Sequence, residues 1–304
     1  MKLKSNYAAP AFLILLSALV IVSGLLEKRL AGDATASALS AIVLYGVIFL
    51  IPAVLYCYAR GASFVPRLRL RFFTGRHIIL ILLGSVFLIS GATAVSAFLC
   101  NRFPEAYAAS APMANPLYVM DGTFIGTLRT LLAFALAPSL CEELVFRGIV
   151  AAEYETFGTG AAVMMSSLTF AMIHFSFVRL PIYLFGGLVL SLVLYASRSV
   201  FASWIVHFLY NAFVLLADIH MRRFISGSDG YILLTFGMTL VALVSGFFLF
   251  YEAQKLYKHY GETNVPASYI PRGKRGGSEQ FVSVVAAPPF LLLVLLYIVL
   301  AAVA

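Results

Sequence analysis

Apolar residues in this chain gather into nine long blocks: 8–26, 37–59, 78–100, a run from Phe124 into the region of Glu142, 161–177, 181–196, 200–217, 231–251 and 282–304. Each comes close to the ~20 consecutive apolar residues that a helix needs to cross a bilayer. The pattern predicts an all-α, polytopic membrane helix bundle of about eight or nine transmembrane helices. The lower count covers the case in which the first block is a signal peptide, since Lys2 and Lys4 precede it. Its length exceeds a usual signal h-region and eight blocks follow, which favours a retained helix. No polar linker or internal repeat divides the chain, so residues 1–304 read as a single membrane domain.

Composition supports that setting. The chain is 62% hydrophobic and 11% charged, against roughly 45 to 50% and 25% in soluble domains. Lysine and arginine favour cytoplasmic loops. Lys2 and Lys4, then Arg60, Arg67, Arg69, Arg71 and Arg76, then Arg198, then Lys255, Lys258, Arg272, Lys274 and Arg275 alternate with poorer loops. This predicts an integral membrane protein, of the plasma (inner) membrane, with its N-terminus cytoplasmic. The net charge of +8 then reads as topology and contact with the anionic lipid bilayer. It implies no nucleic-acid partner, because no loop is long enough to form a basic folded domain. The basic stretch 67–73 is expected to lie along the inner headgroups or to be a solvated loop. Pro266, Pro271, Gly273, Gly276 and Gly277 mark a later loop. His77, His220 and His259 read as surface residues and Asp218 as solvated. Cys57, Cys100 and Cys141 imply no disulfide framework, and Cys141 reads as packing.

Against this background one stretch stands out, Pro138-Ser-Leu-Cys-Glu-Glu-Leu-Val-Phe-Arg-Gly148, which places Glu142, Glu143 and Arg147 inside an apolar run. Ionisable side chains in hydrocarbon are costly and mark functional sites. Phe157-Gly-Thr-Gly160 is a helix breaker, so the flanking helices should form an antiparallel hairpin. Glu142 and His174 each lie sixteen residues from Gly158, about 24 Å along a helix. His207 and Asn211 follow the Arg198 turn by nine and thirteen residues, about 14 and 20 Å. Glu142, with its neighbour Glu143, and His174, His207 and Asn211 thus converge on one layer from three helices. Glu153 and Glu155 are expected to carry the end of the hairpin into the cytosol, which puts the site in the inner half of the membrane.

Spacing also separates roles. Glu143 and Arg147 are four apart and face each other on a helix, an ion pair that braces it. Glu142 lies on another face, free to act as a general base. A neutral His174 can hold the attacking water, while His207 and Asn211 can donate to an oxyanion. Phe170 reads as packing beside the site. These parts suffice for attack of water on a carbonyl.

Three motifs, Glu142-Glu-Leu-Val-Phe-Arg147, Phe170-Ala-Met-Ile-His174 and His207-Phe-Leu-Tyr-Asn211, match E-E-x-x-x-R, F-x-x-x-H and H-x-x-x-N. Through them the chain resembles the CaaX prenyl protease type II and bacteriocin-processing family, also called the CPBP or Abi family of intramembrane proteases. The resemblance covers a family-like catalytic core at 123–217. It implies a glutamate-type intramembrane endopeptidase without a cofactor, acting on a membrane-associated peptide or protein. Glu142 and His174 would activate water, and His207 and Asn211 would stabilise the oxyanion. Two alternatives stay open. Zinc could sit on Glu142, His174 and His207, a catalytic ligand composition, although no H-E-x-x-H is present. A transporter or non-catalytic scaffold could use the same buried charges, although the repeated halves common in transporters are not evident.

Overall fold

With no water inside hydrocarbon to satisfy backbone N–H and C=O groups, an apolar block must close its hydrogen bonds within itself. The computed structural model, which describes residues 4–109, 115–119, 122–225, 228–263 and 278–303, is helical accordingly, with no strand among them. The apolar helices are α1 Ser5–Leu30, α2 Ala34–Arg60, α3 Gly75–Arg102, α4 Phe124–Phe157, α5 Thr159–Met172, α6 Leu180–Ser197, α7 Val200–Ile225, α8 Ser228–Glu262 and α9 Pro288–Val303. The chain is an integral membrane protein. Lys2 and the loop punctuation at 266–277 lie outside the described residues, as do the side chains of Asp218 and His220.

All nine blocks become helices, but among the described residues seven are long and apolar enough to cross a membrane, whereas α5 and α9 span 14 and 16 residues. The shortening of α5 has a local cause. Its chain turns at His174, and Phe175 takes a left-handed φ of 45°, which ends the helix well before residue 177. The antiparallel hairpin forms about Gly158, whose φ of 106° favours glycine. Between α1 and α2, Asp33 caps the second helix by accepting from the backbone N–H groups of Ala36 and Thr35 at 2.8 and 2.9 Å. Those two bonds hold its carboxyl below the ordinary aspartate range.

Helices α3, α4, α6 and α7 form the centre, with α8 laid along α3, α5 along α6 and α9 along α1. The outer faces stay apolar: on α8, Phe236, Leu243 and Phe247 are 69%, 67% and 69% exposed, as lipid contact requires. At the α5–α6 contact a Cβ on Gly187 would stand 2.8 Å from the Cα of Ser167, so only glycine lets these backbones approach this closely.

The polar end of the hairpin departs from expectation. Glu153 and Glu155 are buried, at 0% and 2% exposure, instead of projecting into water. The cause is the basic connection after α2, which folds back into the protein. Arg60 holds Glu153 through contacts of 2.5 and 2.6 Å, and Tyr56 donates to the same carboxylate at 2.8 Å. Arg69 pairs with Glu155 at 2.5 Å while Tyr195 donates to it at 2.8 Å. Arg67 donates to the carbonyl of Ala152. Thus Arg67 and Arg69 serve neither a headgroup stripe nor a free loop. His77 is likewise buried, because its ring bonds to Tyr260.

Stability measurements can separate neighbouring arginines of this connection. Arg69→Ala leaves Glu155 a buried charge without its cation and should cost about 3 to 5 kcal/mol, read as a large fall in melting temperature in detergent. Arg71→Ala removes an exposed side chain and should change stability by less than about 0.5 kcal/mol. Equal losses would show that Arg69 is not the buried partner of Glu155.

Candidate functional site

Two prolines shape the helices that carry the site. A proline has no N–H to donate and its ring crowds the carbonyl four residues earlier, so the preceding turn widens. Wide π-turns occur at Gly46–Leu50 and Leu132–Leu136, each two residues before a proline, Pro52 and Pro138. They hold Ile48, Phe49 and Phe134 in a cavity wall beside Glu142. A third π-turn, Leu144–Val150, carries Arg147; nothing in the sequence accounts for it.

Glu143 is fully buried and gathers three partners. Arg147, one turn along α4, places Nη1 2.9 Å from Oε1. Ser203 on α7 donates to Oε2 at 2.7 Å. His207, one turn further, sets Nδ1 3.0 Å from Oε1. A carboxylate held by an arginine is ionised and only accepts, so the histidine's proton there sits on Nδ1. Its Nε2 is thereby turned toward Glu142, with 3.8 Å to Oε2, beyond hydrogen-bond length. Glu142 therefore lacks an arginine but has His207 as a neighbour. Arg147 itself donates to the carbonyl of Gly187 at 3.3 Å and stacks over the Phe170 ring at 4.4 Å. The same glycine that lets α5 approach α6 thus accepts from the arginine of α4.

His174 is oriented separately. Its Nδ1 lies 2.8 Å from the carbonyl of Phe170. A carbonyl can only accept, so Nδ1 carries the proton, and in the neutral ring Nε2 keeps a lone pair. The imidazole stacks on Tyr183 at 3.8 Å between ring centroids and meets Phe170 edge-on at 5.0 Å. Phe170 also lies edge-on to His207 at 5.6 Å. It is a common wall for Arg147 and both histidines.

Two cavities meet at this point. One, about 230 Å³, runs between α1, α2 and α4 past Val20, Glu27 and Phe49. The other, about 190 Å³, runs past Arg179, His207 and Asn211. Both are lined by Tyr45, Phe134, Glu142 and His174. The structure therefore brings Glu142, His174, His207, Asn211 and Phe170 to one cavity, and leaves Glu143 and Arg147 behind its wall. Sequence reading missed Ser203, Tyr183 and Tyr45. Ser203 had a signal, since it shares a helix face with His207 and Asn211 at spacings of four. The tyrosines had none. Cys141 is buried and free. Among the described residues no three His, Cys, Asp or Glu side chains gather as a metal-binding group.

Residues 124–213 match the family of type II CAAX prenyl endopeptidases, Rce1-like. All three motifs fall inside that segment. No curated protein and no solved structure matches the chain. The resemblance seen in the motifs thus holds over the middle of the molecule, and the family it points to is one of proteases.

Loss of the arginine should expose its structural part. Arg147→Ala strands the Glu143 carboxylate and should lower stability by about 3 to 5 kcal/mol, measured as thermal unfolding in detergent. An unchanged melting temperature would mean that the ion pair contributes nothing.

Proposed function

With a segment of that protease family as premise, we propose that the chain is a glutamate-type intramembrane endopeptidase that hydrolyses a peptide bond in a membrane-associated peptide or protein, as CAAX proteases do. The observation that carries this reading is that Glu142 and His174 both line the two cavities, His174 having its Nδ1 fixed on a backbone carbonyl. An extended substrate can lie in both arms with its scissile bond between them.

The steps follow from the available atoms. A water held between the Glu142 carboxylate and His174 Nε2 gives a proton to Glu142 as its oxygen attacks the carbonyl carbon. The resulting oxyanion accepts from the Asn211 amide, and from His207 Nε2 when that ring carries its second proton. Glu143 keeps His207 in register by accepting from Nδ1, an orienting role like that of the carboxylate in a serine-protease triad. Collapse breaks the C–N bond, and Glu142 returns its proton to the leaving nitrogen. The products are a carboxylic acid and an amine, and transfer of the acid proton to the amine in water leaves a carboxylate and an ammonium.

We place the arginine-bearing end of the bundle, with the N-terminus, at the cytoplasmic face of the plasma membrane. The site would then lie in the inner half of the bilayer. A zinc ion on Glu142, His174 and His207 is the second reading. It draws on the fact that both histidines have Nδ1 fixed by an acceptor and Nε2 free, as metal-ligating histidines do. Asn211 as an amide donor suited to an oxyanion supports the metal-free choice.

Glu142→Gln keeps the shape of the side chain but cannot take the proton. Cleavage should fall by about 10² to 10⁴ with an unchanged melting temperature, and normal turnover by the folded variant would refute the assignment. Activity should also survive dialysis against a strong chelator. Activity lost on chelation and restored by one equivalent of zinc would make this a metalloprotease.

A further inference from the structure

A third cavity, of about 280 Å³, lies where the connection after α2, the turn between α6 and α7 and the end of α8 come together. Arg71, Arg76, Arg198, His77 and His259 line it, with no aspartate or glutamate among the described residues. It shares no lining residue with the two cavities at Glu142. Arg60 and Arg69, at the same end of the bundle, are paired with carboxylates, whereas among the described residues Arg71, Arg76 and Arg198 form no ion pair with a carboxylate.

One wall is set by a hydrogen-bond chain with a single consistent direction. The backbone N–H of Thr74 donates to His77 Nδ1 at 3.0 Å, so the ring's proton is on Nε2. That proton goes to the Tyr260 hydroxyl at 2.7 Å, and the hydroxyl donates to the carbonyl of Ala196 at 3.2 Å. The guanidinium of Arg198 lies over the Tyr260 ring, 3.9 Å from its centre, and Arg76 contacts the ring of His259.

Arg198 is the informative member. It follows the last residue of α6 with a left-handed φ of 57°, at a helix-end position where glycine is the usual residue. A strained arginine there calls for a reason in what its side chain does. Its Nη1 is buried and has no hydrogen-bond partner among the described residues, which is costly for a charged donor unless a ligand completes it. Thr74, Ser197 and Tyr260 also line the cavity, but the Ser197 and Tyr260 hydroxyls donate to backbone carbonyls. The three guanidinium groups are the donor set of a phosphate site. Beside it, Phe72, a lining residue 81% exposed, stacks on Phe201 with ring centroids 4.7 Å apart. The site lies at one end of the bundle, beside the start of α3, the α6–α7 turn and the end of α8.

We propose that this cavity binds the phosphate headgroup of an anionic membrane phospholipid, with Arg198, Arg71 and Arg76 on the phosphate and Phe72 against the start of the acyl chains. The binding stands apart from peptide hydrolysis and does not depend on it.

Native mass spectrometry of the full-length protein tests this, with phosphatidylglycerol and phosphatidylcholine offered in turn and inorganic phosphate as competitor. One phosphatidylglycerol should be retained in preference to phosphatidylcholine, and millimolar phosphate should not displace it. Arg198→Gly suits the left-handed backbone, so this variant should fold, yet lose roughly tenfold or more in lipid affinity through the missing charged donor. The double variant Arg71→Gln/Arg76→Gln, which changes two exposed side chains, should lose a comparable factor. Retention unchanged in both variants, equal retention of the two lipids, or displacement by free phosphate would each overturn the proposal.

Discussion

A carboxylate buried in the middle of a membrane helix bundle must be neutralised and hydrogen-bonded or the fold does not tolerate it. Glu143 is that carboxylate, and the site is arranged by meeting its demand. Arg147 comes from its own helix, and Ser203 and His207 come from α7. Satisfying Glu143 therefore ties α4 to α7 in one register and, as a consequence, aims His207 at the neighbouring Glu142. Arg147 then reaches Gly187 and Phe170, which brings in α6 and α5. Four helices are referred to one buried charge.

Division of labour follows from this arrangement. The residue next to the site in sequence, Glu143, is held behind the cavity wall, whereas Glu142 lines both cavities and has no arginine of its own. A group surrounded on every side can position others but cannot exchange a proton with a substrate. In the proposed reaction Glu142 is free to do so. His174 follows the same logic on a smaller scale, with one nitrogen fixed on a backbone carbonyl and the other left with a lone pair.

Much of this was legible because a helix advances by a constant rise. Distances counted from Gly158 and from Arg198 bring Glu142, His174, His207 and Asn211 together, and they share a cavity wall. The Glu143–Arg147 contact follows from a spacing of four. Long-range pairing was not legible. Glu153 and Glu155 look like a wet helix end, and the arginines after α2 look like topogenic charges, because nothing local reveals that they meet. The Glu143–His207 bond was hidden for the same reason. The early end of α5 was hidden too, since no glycine or proline announces the left-handed turn at Phe175.

The central claim is that Glu142 and His174 act as one device on one water, and a double-mutant cycle on single-turnover cleavage tests it most directly. Groups that act as a unit give strongly non-additive losses. The account predicts that Glu142→Gln/His174→Ala is no slower than the slower of the two single variants. Losses that multiply, with all three proteins folded, would show that the two residues contribute to separate steps and would contradict it.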